Sequence, residues 1–326
     1  MVFAMVVVGG ITRLTHSGLS IVEWQPIVGT LPPLDDAQWE ATFDKYKATP
    51  EYVQRNHDMT LEGFKGIFWW EYFHRLLGRL IGVVFLLPWL FFIATRRLQG
   101  PLAWKLAGIF LLGGLQGAVG WYMVKSGLVD DPRVSSVRLA MHLGLALTIY
   151  ALLFDTALGL LHPDTQPADP RARRMATGMA GLVFLMALTG AFVAAIHAGL
   201  AYNTWPLMDG RMVPPEVLLL DPWWQNFLNN MATVQLVHRT LAYAVVALAI
   251  ATWLAMRRLA APDRARAWSH ALLAMAFVQA GFGIATLLHR VPVPLAALHQ
   301  AGAVLLFTCA LGVRHAVRAS RGQLQR

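Results

Sequence analysis

Apolar residues along the chain are concentrated in eight long runs, and polar or proline-rich segments separate these runs. Several runs reach the roughly 20 residues that an α-helix needs to cross a hydrocarbon layer about 30 Å thick. A transmembrane β-barrel would instead show short segments of alternating polarity. The pattern predicts an all-α polytopic membrane protein with eight transmembrane helices, at roughly 1–15, 68–95, 103–124, 137–161, 174–197, 232–256, 268–288 and 295–317.

The composition agrees with a membrane protein. Hydrophobic residues make up 56% of the chain and charged residues only 14%, whereas a soluble domain carries about 25% charged residues. The net charge of +9 would suit nucleic acid, but the basic residues lie at helix ends, where they orient helices in a membrane. We therefore expect contact with membrane lipid and no nucleic-acid partner.

Basic residues are concentrated in alternate loops. They lie between the second and third, fourth and fifth, and sixth and seventh predicted helices, and after the eighth. The positive-inside rule places these loops and both termini in the cytoplasm. The long segment 16–67 then faces outward. Because it is rich in aromatic and apolar residues, we expect an ordered loop with short helices.

The two halves of the chain repeat each other. ITRLTHSGLSIVEWQP at 11–26 matches FVAAIHAGLAYNTWP at 192–206, and EYFHRLLGRLIG matches QLVHRTLAYAVV. Two shorter matches follow, LQGAVG with VQAGFG and MHLGLAL with LHQAGAV. An even number of helices separates the halves, so they have the same orientation, as in a parallel repeat.

The repeat predicts two tandem four-helix bundles related by internal duplication. The N-terminal unit is 1–162 and the C-terminal unit is 174–326. The polar, proline-rich stretch 163–173 is the predicted cytoplasmic linker between them.

Four histidines occupy matching places at helix starts: His74, His142, His238 and His299. By the predicted topology all four lie near the outer face, two in each unit. Two imidazoles facing each other in a helical bundle are a common way to hold a haem iron, whereas a zinc site needs a third ligand close by. The alternative is that the histidines are structural, but ionisable groups inside a membrane are costly and usually functional.

Residues near these histidines suit a flat, anionic macrocycle. Glycines such as Gly78 and Gly302 would allow close approach to the helices. Arg75, Arg79 and Arg239 lie near the histidines, and a guanidinium group binds a carboxylate such as a haem propionate through paired hydrogen bonds.

Glu71 distinguishes the first half from the second, where its repeat partner is Gln235. Glu71 and His74 are three residues apart and share a helix face. The carboxylate is the candidate catalytic group, as a proton relay or as a group that positions a polar intermediate. The alternative is a structural salt bridge with Arg75 or Lys65.

The single cysteine, Cys309, lies inside an apolar run. An intramolecular disulfide is therefore excluded, and a cysteine-ligated zinc or iron–sulfur site is not expected.

Two stretches make the chain resemble a known family. GGITRLTHSGLSIVEWQPIVGTLPPL and PEYVQRNHDMTLEGFKGIFWWEYFHRLLGR, together with the four placed histidines, are similar to the haem A synthases of proteobacteria and mitochondria. The resemblance covers essentially the whole chain. It implies an oxidoreductase of the inner (plasma) membrane that converts haem O to haem A for cytochrome oxidase. Successive hydroxylations would turn a ring methyl into a geminal diol, which loses water to give the formyl group.

The resemblance also implies roles for the named residues. His74 and His142 would bind the iron of the substrate haem O, with Glu71 beside that site. His238 and His299 would hold a haem b cofactor that passes electrons. Expected partners are a haem O synthase, cytochrome oxidase assembly factors and a second copy of the chain.

The residues alone leave two other functions open. A di-haem b-type electron-transfer cytochrome would hold two equivalent, permanent haems. A haem carrier would hold one exchangeable haem and leave its chemistry unchanged. The difference between Glu71 and Gln235 favours an enzyme with two unequal sites.

Overall fold

The computed structural model describes residues 1–24, 28–129, 131–163 and 168–318, and this part of the chain is helical, with no strand longer than a single bridge. The helices are α1 Val2–Leu14, α2 Asp36–Lys47, α3 Pro50–Arg55, α4 Leu61–Ala94, α5 Gly100–Lys125, α6 Ser136–Leu161, α7 Pro170–Ala195, α8 Asn226–Asn229, α9 Met231–Arg258, α10 Asp263–Leu288 and α11 Val293–Ala316.

Within the described residues, seven helices are long and apolar enough to cross a membrane: α4, α5, α6, α7, α9, α10 and α11. The chain is therefore a multi-pass helical membrane protein. The eighth predicted span, 1–15, corresponds to α1, which has only 13 residues. A full crossing needs about 20 residues, so an eighth span stays a prediction.

Helix α4 begins at Leu61 rather than at the predicted residue 68. The side chain of Thr60 accepts a hydrogen bond from the backbone N–H of Gly63 and caps this start. Such a cap satisfies one of the free N–H groups of the first turn. The helix thus begins before the apolar run does, because the cap and not the hydrophobic pattern sets its first residue.

The chain divides into two compact units, Met1–Ile149 and a second unit that begins at Tyr150. The division falls inside α6, whose first half, with His142, belongs to the first unit. The predicted repeat boundaries at 162 and 174 concern the sequence repeat and stay a prediction. Of the predicted linker, residues 164–167 lie outside the described residues, as do residues 25 and 26 of the first repeated motif.

In the second unit, four long helices form a closed ring. Helix α7 packs against α9, α9 against α10, α10 against α11, and α11 against α7. In the first unit, α4 packs against both α1 and α5. The guanidinium of Arg138 in α6 donates to the carbonyl of Tyr122 in α5. The predicted histidine ligands lie on these helices, so each one faces a neighbouring helix of its own unit.

The segment 16–67 is ordered in its described part and contains the short helices α2 and α3, as the sequence predicts. An aromatic cluster joins α2 to the start of α4, formed by Trp39, Phe43, Tyr46, Phe64, Phe68 and Tyr72. Burial of each large ring contributes about 2 kcal/mol. This cluster holds α2 against the part of α4 that contains Glu71.

Candidate functional site

In the first unit, His74 of α4 lies against Gly9 of α1. A Cβ atom at Gly9 would come within 2.9 Å of Nε2 of His74. Only a glycine leaves room for the imidazole at this distance, because such contacts are shorter than van der Waals separation. The side chain of His74 forms no hydrogen bond with the described residues.

His142 of α6 lies against Gly120 of α5 in the same way. A Cβ at Gly120 would come within 2.9 Å of Cε1 of His142. One turn earlier in α5, the Gln116 amide donates to the His142 carbonyl and lies 3.1 Å from Nδ1. Oε1 of Gln116 is buried without a hydrogen bond in the described residues.

In the second unit, His238 of α9 faces Gly190 of α7. A Cβ at Gly190 would lie 3.4 Å from Cε1 of His238. The hydroxyl of Thr189, the residue before this glycine, lies 2.9 Å from Nδ1 of His238. The imidazole is therefore fixed by a hydrogen bond as well as by packing.

His299 of α11 repeats the environment of His142. A Cβ at Gly283 of α10 would come within 2.9 Å of Cε1 of His299. The Gln279 amide lies 3.1 Å from Nδ1 of His299 and donates to its carbonyl. Its Oε1 is also buried without a partner in the described residues.

Each unit brings its two predicted ligands together. His142 is close enough to His74 to interact with it electrostatically, and His299 is likewise close to His238. The two imidazoles of a pair come from different helices, and each packs against a glycine of a neighbouring helix. Two adjacent imidazoles among apolar helices fit the axial ligand set of a haem iron. No group of three or more His, Cys, Asp or Glu side chains in the described residues is arranged to hold a metal ion.

Glu71 is buried, with 2% of its surface exposed, and its carboxylate accepts four hydrogen bonds. Oε2 accepts from the Ser20 hydroxyl at 2.7 Å and from the Ile21 N–H at 2.8 Å. Oε1 accepts from Nε and Nη2 of Arg75 at 3.0 and 2.5 Å. The salt bridge with Arg75 that the sequence left open is therefore present, whereas Lys65 pairs with Glu62.

Gln235 occupies the corresponding place in the second unit. Its amide donates to the carbonyls of Ala198 and Tyr202. Arg239, one turn later, donates to the Tyr202 carbonyl. In the second unit, a neutral amide thus donates to loop carbonyls. In the first unit, the Glu71 carboxylate accepts from a loop hydroxyl and a loop N–H.

Two of the three predicted propionate-binding arginines contact loop segments that lie outside the long helices. Arg75 donates to the carbonyls of Ile21 and Glu23, and Arg239 donates to that of Tyr202. Arg79 lies one turn further along α4 and is half-buried. Arg75 and Arg79 follow His74 by one and five residues, and Arg239 follows His238 by one residue. All three are therefore close in sequence to a predicted ligand.

A second buried carboxyl, Glu51 of α3, lies near this region and was not predicted. It is 2% exposed and accepts a hydrogen bond from the Tyr46 hydroxyl, which in turn accepts one from Asn56. The pKa of Glu51 is raised to about 7, chiefly by burial; Arg55 opposes this shift and the nearby Glu71 contributes to it. Burial also raises the pKa of Tyr46.

Sequence reasoning also missed Gln116, Gln279 and the glycines at the imidazoles, Gly9, Gly120, Gly190 and Gly283. The sequence repeat could have revealed part of this set, because the match of LQGAVG with VQAGFG aligns Gln116 with Gln279 and Gly120 with Gly283. The glycines predicted from the sequence, Gly78 and Gly302, instead lie against Met5 and Gln279.

The fold and the site define a polytopic helical membrane protein with one histidine pair in each of two units. The chain belongs to the COX15-CtaA family of cytochrome oxidase assembly proteins, whose profile matches residues 1–311. Its similar relatives are named heme A synthase. That of Nitrosospira multiformis is 56% identical over 98% of this chain and 90% of the relative. That of Nitrosomonas eutropha is 53% identical over 96% and 89%, and that of Rhodospirillum centenum 50% over 98% and 86%.

Proposed function

We propose that the protein is an oxidoreductase that converts haem O to haem A for assembly of cytochrome oxidase. Membership of the family and the names of the full-length relatives support this function. The observation that carries this proposal is that each unit contains a histidine pair, but the residue one turn before the first histidine differs between the units. A carboxylate, Glu71, lies one turn before His74, and an amide, Gln235, lies one turn before His238.

The first unit is the proposed substrate site. His74 and His142 would bind the iron of haem O there and so fix the position of the ring relative to α4. Glu71 would hold or accept a proton near the methyl group that is oxidised. The guanidinium of Arg75 lies against this carboxylate and donates two hydrogen bonds to its Oε1.

The second unit is the proposed site of the haem b cofactor, held by His238 and His299. When bound, this haem would supply one-electron redox chemistry. The residues around it are Thr189, Gln279 and Gly283, which orient the two imidazoles. The haem propionates would be bound by Arg75 and Arg79 in the first unit and by Arg239 in the second.

The similar contacts in the two units support an internal duplication. Gln116 and Gln279 meet their histidines at the same 3.1 Å distance. Alternate loops rich in arginine favour cytoplasmic termini, which would place both haem sites near the outer face of the inner membrane. Haem O synthase and assembly factors would be the partners that deliver and receive the haem.

The test is expression in a bacterium that makes haem O and lacks its own haem A synthase. Membrane haems are extracted and identified by mass for the wild-type chain, Glu71→Gln and the control Glu62→Gln, an exposed carboxylate of the same helix. We expect haem A with the wild type and the control. With Glu71→Gln, haem O or a hydroxylated intermediate should accumulate. Unchanged haem O in a well-expressed, haem-binding wild type would refute the function and leave a cytochrome or a carrier.

A further inference from the structure

The four candidate ligands differ in what holds their Nδ1 atoms. The hydroxyl of Thr189 lies 2.9 Å from Nδ1 of His238 and also 2.8 Å from the carbonyl of Met186. A hydroxyl has a single proton to donate. The Met186 carbonyl can only accept, so when the Thr189 hydroxyl donates to it, the hydroxyl oxygen is left to accept the Nδ1–H of His238.

This arrangement fixes the tautomer of His238. A proton on Nδ1 leaves the lone pair on Nε2, which is the state that binds a metal ion. Such partners of a ligating histidine set its orientation and its basicity, and their loss commonly weakens metal binding by 10–100-fold. Thr189 is therefore placed to keep His238 ready to bind iron.

The first unit lacks this device. Val8 precedes Gly9, as Thr189 precedes Gly190, and both glycines contact the imidazole of their unit. A valine side chain cannot accept a hydrogen bond. His74 has accordingly no side-chain hydrogen bond with the described residues, and packing alone orients its ring.

The other histidine of each pair, His142 or His299, does not distinguish the two units. Gln116 and Gln279 both place their amide nitrogen 3.1 Å from Nδ1 of their histidine and donate to its backbone carbonyl. Thr189 and Val8, the residues that precede the two matching glycines, are thus the unequal pair.

We propose that Thr189 and Val8 determine which haem is retained and which is exchanged. Thr189 is a positioning residue that makes His238 a permanent ligand, and Val8 leaves His74 free to release its haem. This inference rests on the proposed function, in which the second unit keeps its cofactor and the first must release its product. It adds a physical reason why two similar histidine pairs hold haem differently.

The test measures haem release from the purified holoprotein. Transfer of haem b to an excess of apomyoglobin is followed by absorbance for the wild type, Thr189→Val and Thr189→Ser. The matched control is Thr177→Val, an exposed threonine of the same helix. We expect Thr189→Val to release haem b roughly tenfold faster and to change the low-spin EPR signal. Thr189→Ser keeps the hydroxyl, so its rate of haem b release and its EPR signal should match those of the wild type.

The opposite exchange tests the same idea in the first unit. Val8→Thr should raise the amount of haem O and haem A that remains with the chain after purification and should slow its transfer. The inference is overturned if Thr189→Val and Thr177→Val release haem b at the same rate with the same EPR signal. If Thr189→Val does not fold, unchanged retention in Val8→Thr overturns it. Release of haem b and retention of haem O do not depend on haem A formation, so failure of the enzymatic function is seen separately in the haem extraction.

Discussion

The buried carboxylate of Glu71 forms an ion pair with the partly buried Arg75, whose Nη2 lies 2.5 Å from Oε1 of Glu71. The same guanidinium donates to the carbonyls of Ile21 and Glu23, and the carboxylate accepts from Ser20 and Ile21. One pair of side chains thus ties the segment after α1 to α4, one turn from His74. The candidate catalytic carboxylate is at the same time a structural anchor.

Replacement of Arg75 by alanine should destabilise the protein by about 3 kcal/mol, because it leaves the buried Glu71 carboxylate without its counter-charge. The double variant Glu71→Gln with Arg75→Ala should lose less than the sum of the single changes. Thermal unfolding in detergent measures both, and Arg97→Ala, an exposed arginine, is the control. Strictly additive losses would show that the two groups do not stabilise each other.

The glycine against each imidazole gives a second prediction. Gly283→Ala places a Cβ within 2.9 Å of Cε1 of His299, whereas Gly281→Ala on the same helix meets nothing within 4 Å. We expect Gly283→Ala to displace the imidazole and lower bound haem b about tenfold or more, with Gly281→Ala at the wild-type level. Haem content per chain after purification checks this. Equal haem content in both variants would mean that the ring does not need the glycine.

Glu51 predicts a pH-dependent stability. Its pKa is raised from an ordinary value near 4.5 to about 7, so the folded state binds a proton more tightly than the unfolded state. Stability should therefore fall as pH rises from about 4.5 to about 7 and then level off, by about 3 kcal/mol at most. Tyr46, Arg55, Arg13 and Glu71 are the charged or titratable groups that influence this carboxyl.

Glu51→Gln removes the titrating group and should flatten this decline. The difference in melting temperature between Glu51→Gln and the wild type should grow in favour of the variant between pH 5 and pH 8, a window that spans the shifted pKa. Glu62→Gln, an exposed carboxylate in the first turn of α4, is the control. A constant difference across this range would contradict the raised pKa of Glu51.

The aromatic cluster predicts that segment 36–55 depends on α4 for its order. Phe64 is fully buried between α2 and α4, whereas Phe73 of the same helix is 52% exposed. Phe64→Ala should cost about 3 kcal/mol or more and speed proteolysis within segment 36–55. Phe73→Ala should change neither. Equal proteolysis of the two variants would show that the loop is held by other contacts.

Much of this architecture could be predicted from the sequence, because hydrophobic runs of membrane length and their flanking charges are strong signals. The place of each long helix follows from its run. The start of α4 at Leu61 does not, since it depends on the Thr60 cap and on the packing of Phe64 outside the apolar run.

The site was predictable only as far as the repeat exposes it. The four histidines stand out because each has a counterpart in the other half. The contact of His74 with Gly9 does not, because it depends on how closely two helices approach. The raised pKa of Glu51 likewise follows from burial by residues distant in sequence, and no local pattern reveals it.

The most direct test of the division of work between the two units compares His74→Ala with His238→Ala. Both variants are expressed with the wild type in the haem O-producing host, and the haems bound to the purified chain and present in the membrane are identified by mass. We expect His74→Ala to keep haem B but to form no haem A, and His238→Ala to lose the bound haem B. If His74→Ala loses haem B, or if either variant still forms haem A at the wild-type level, the assignment of substrate and cofactor to the two units is wrong.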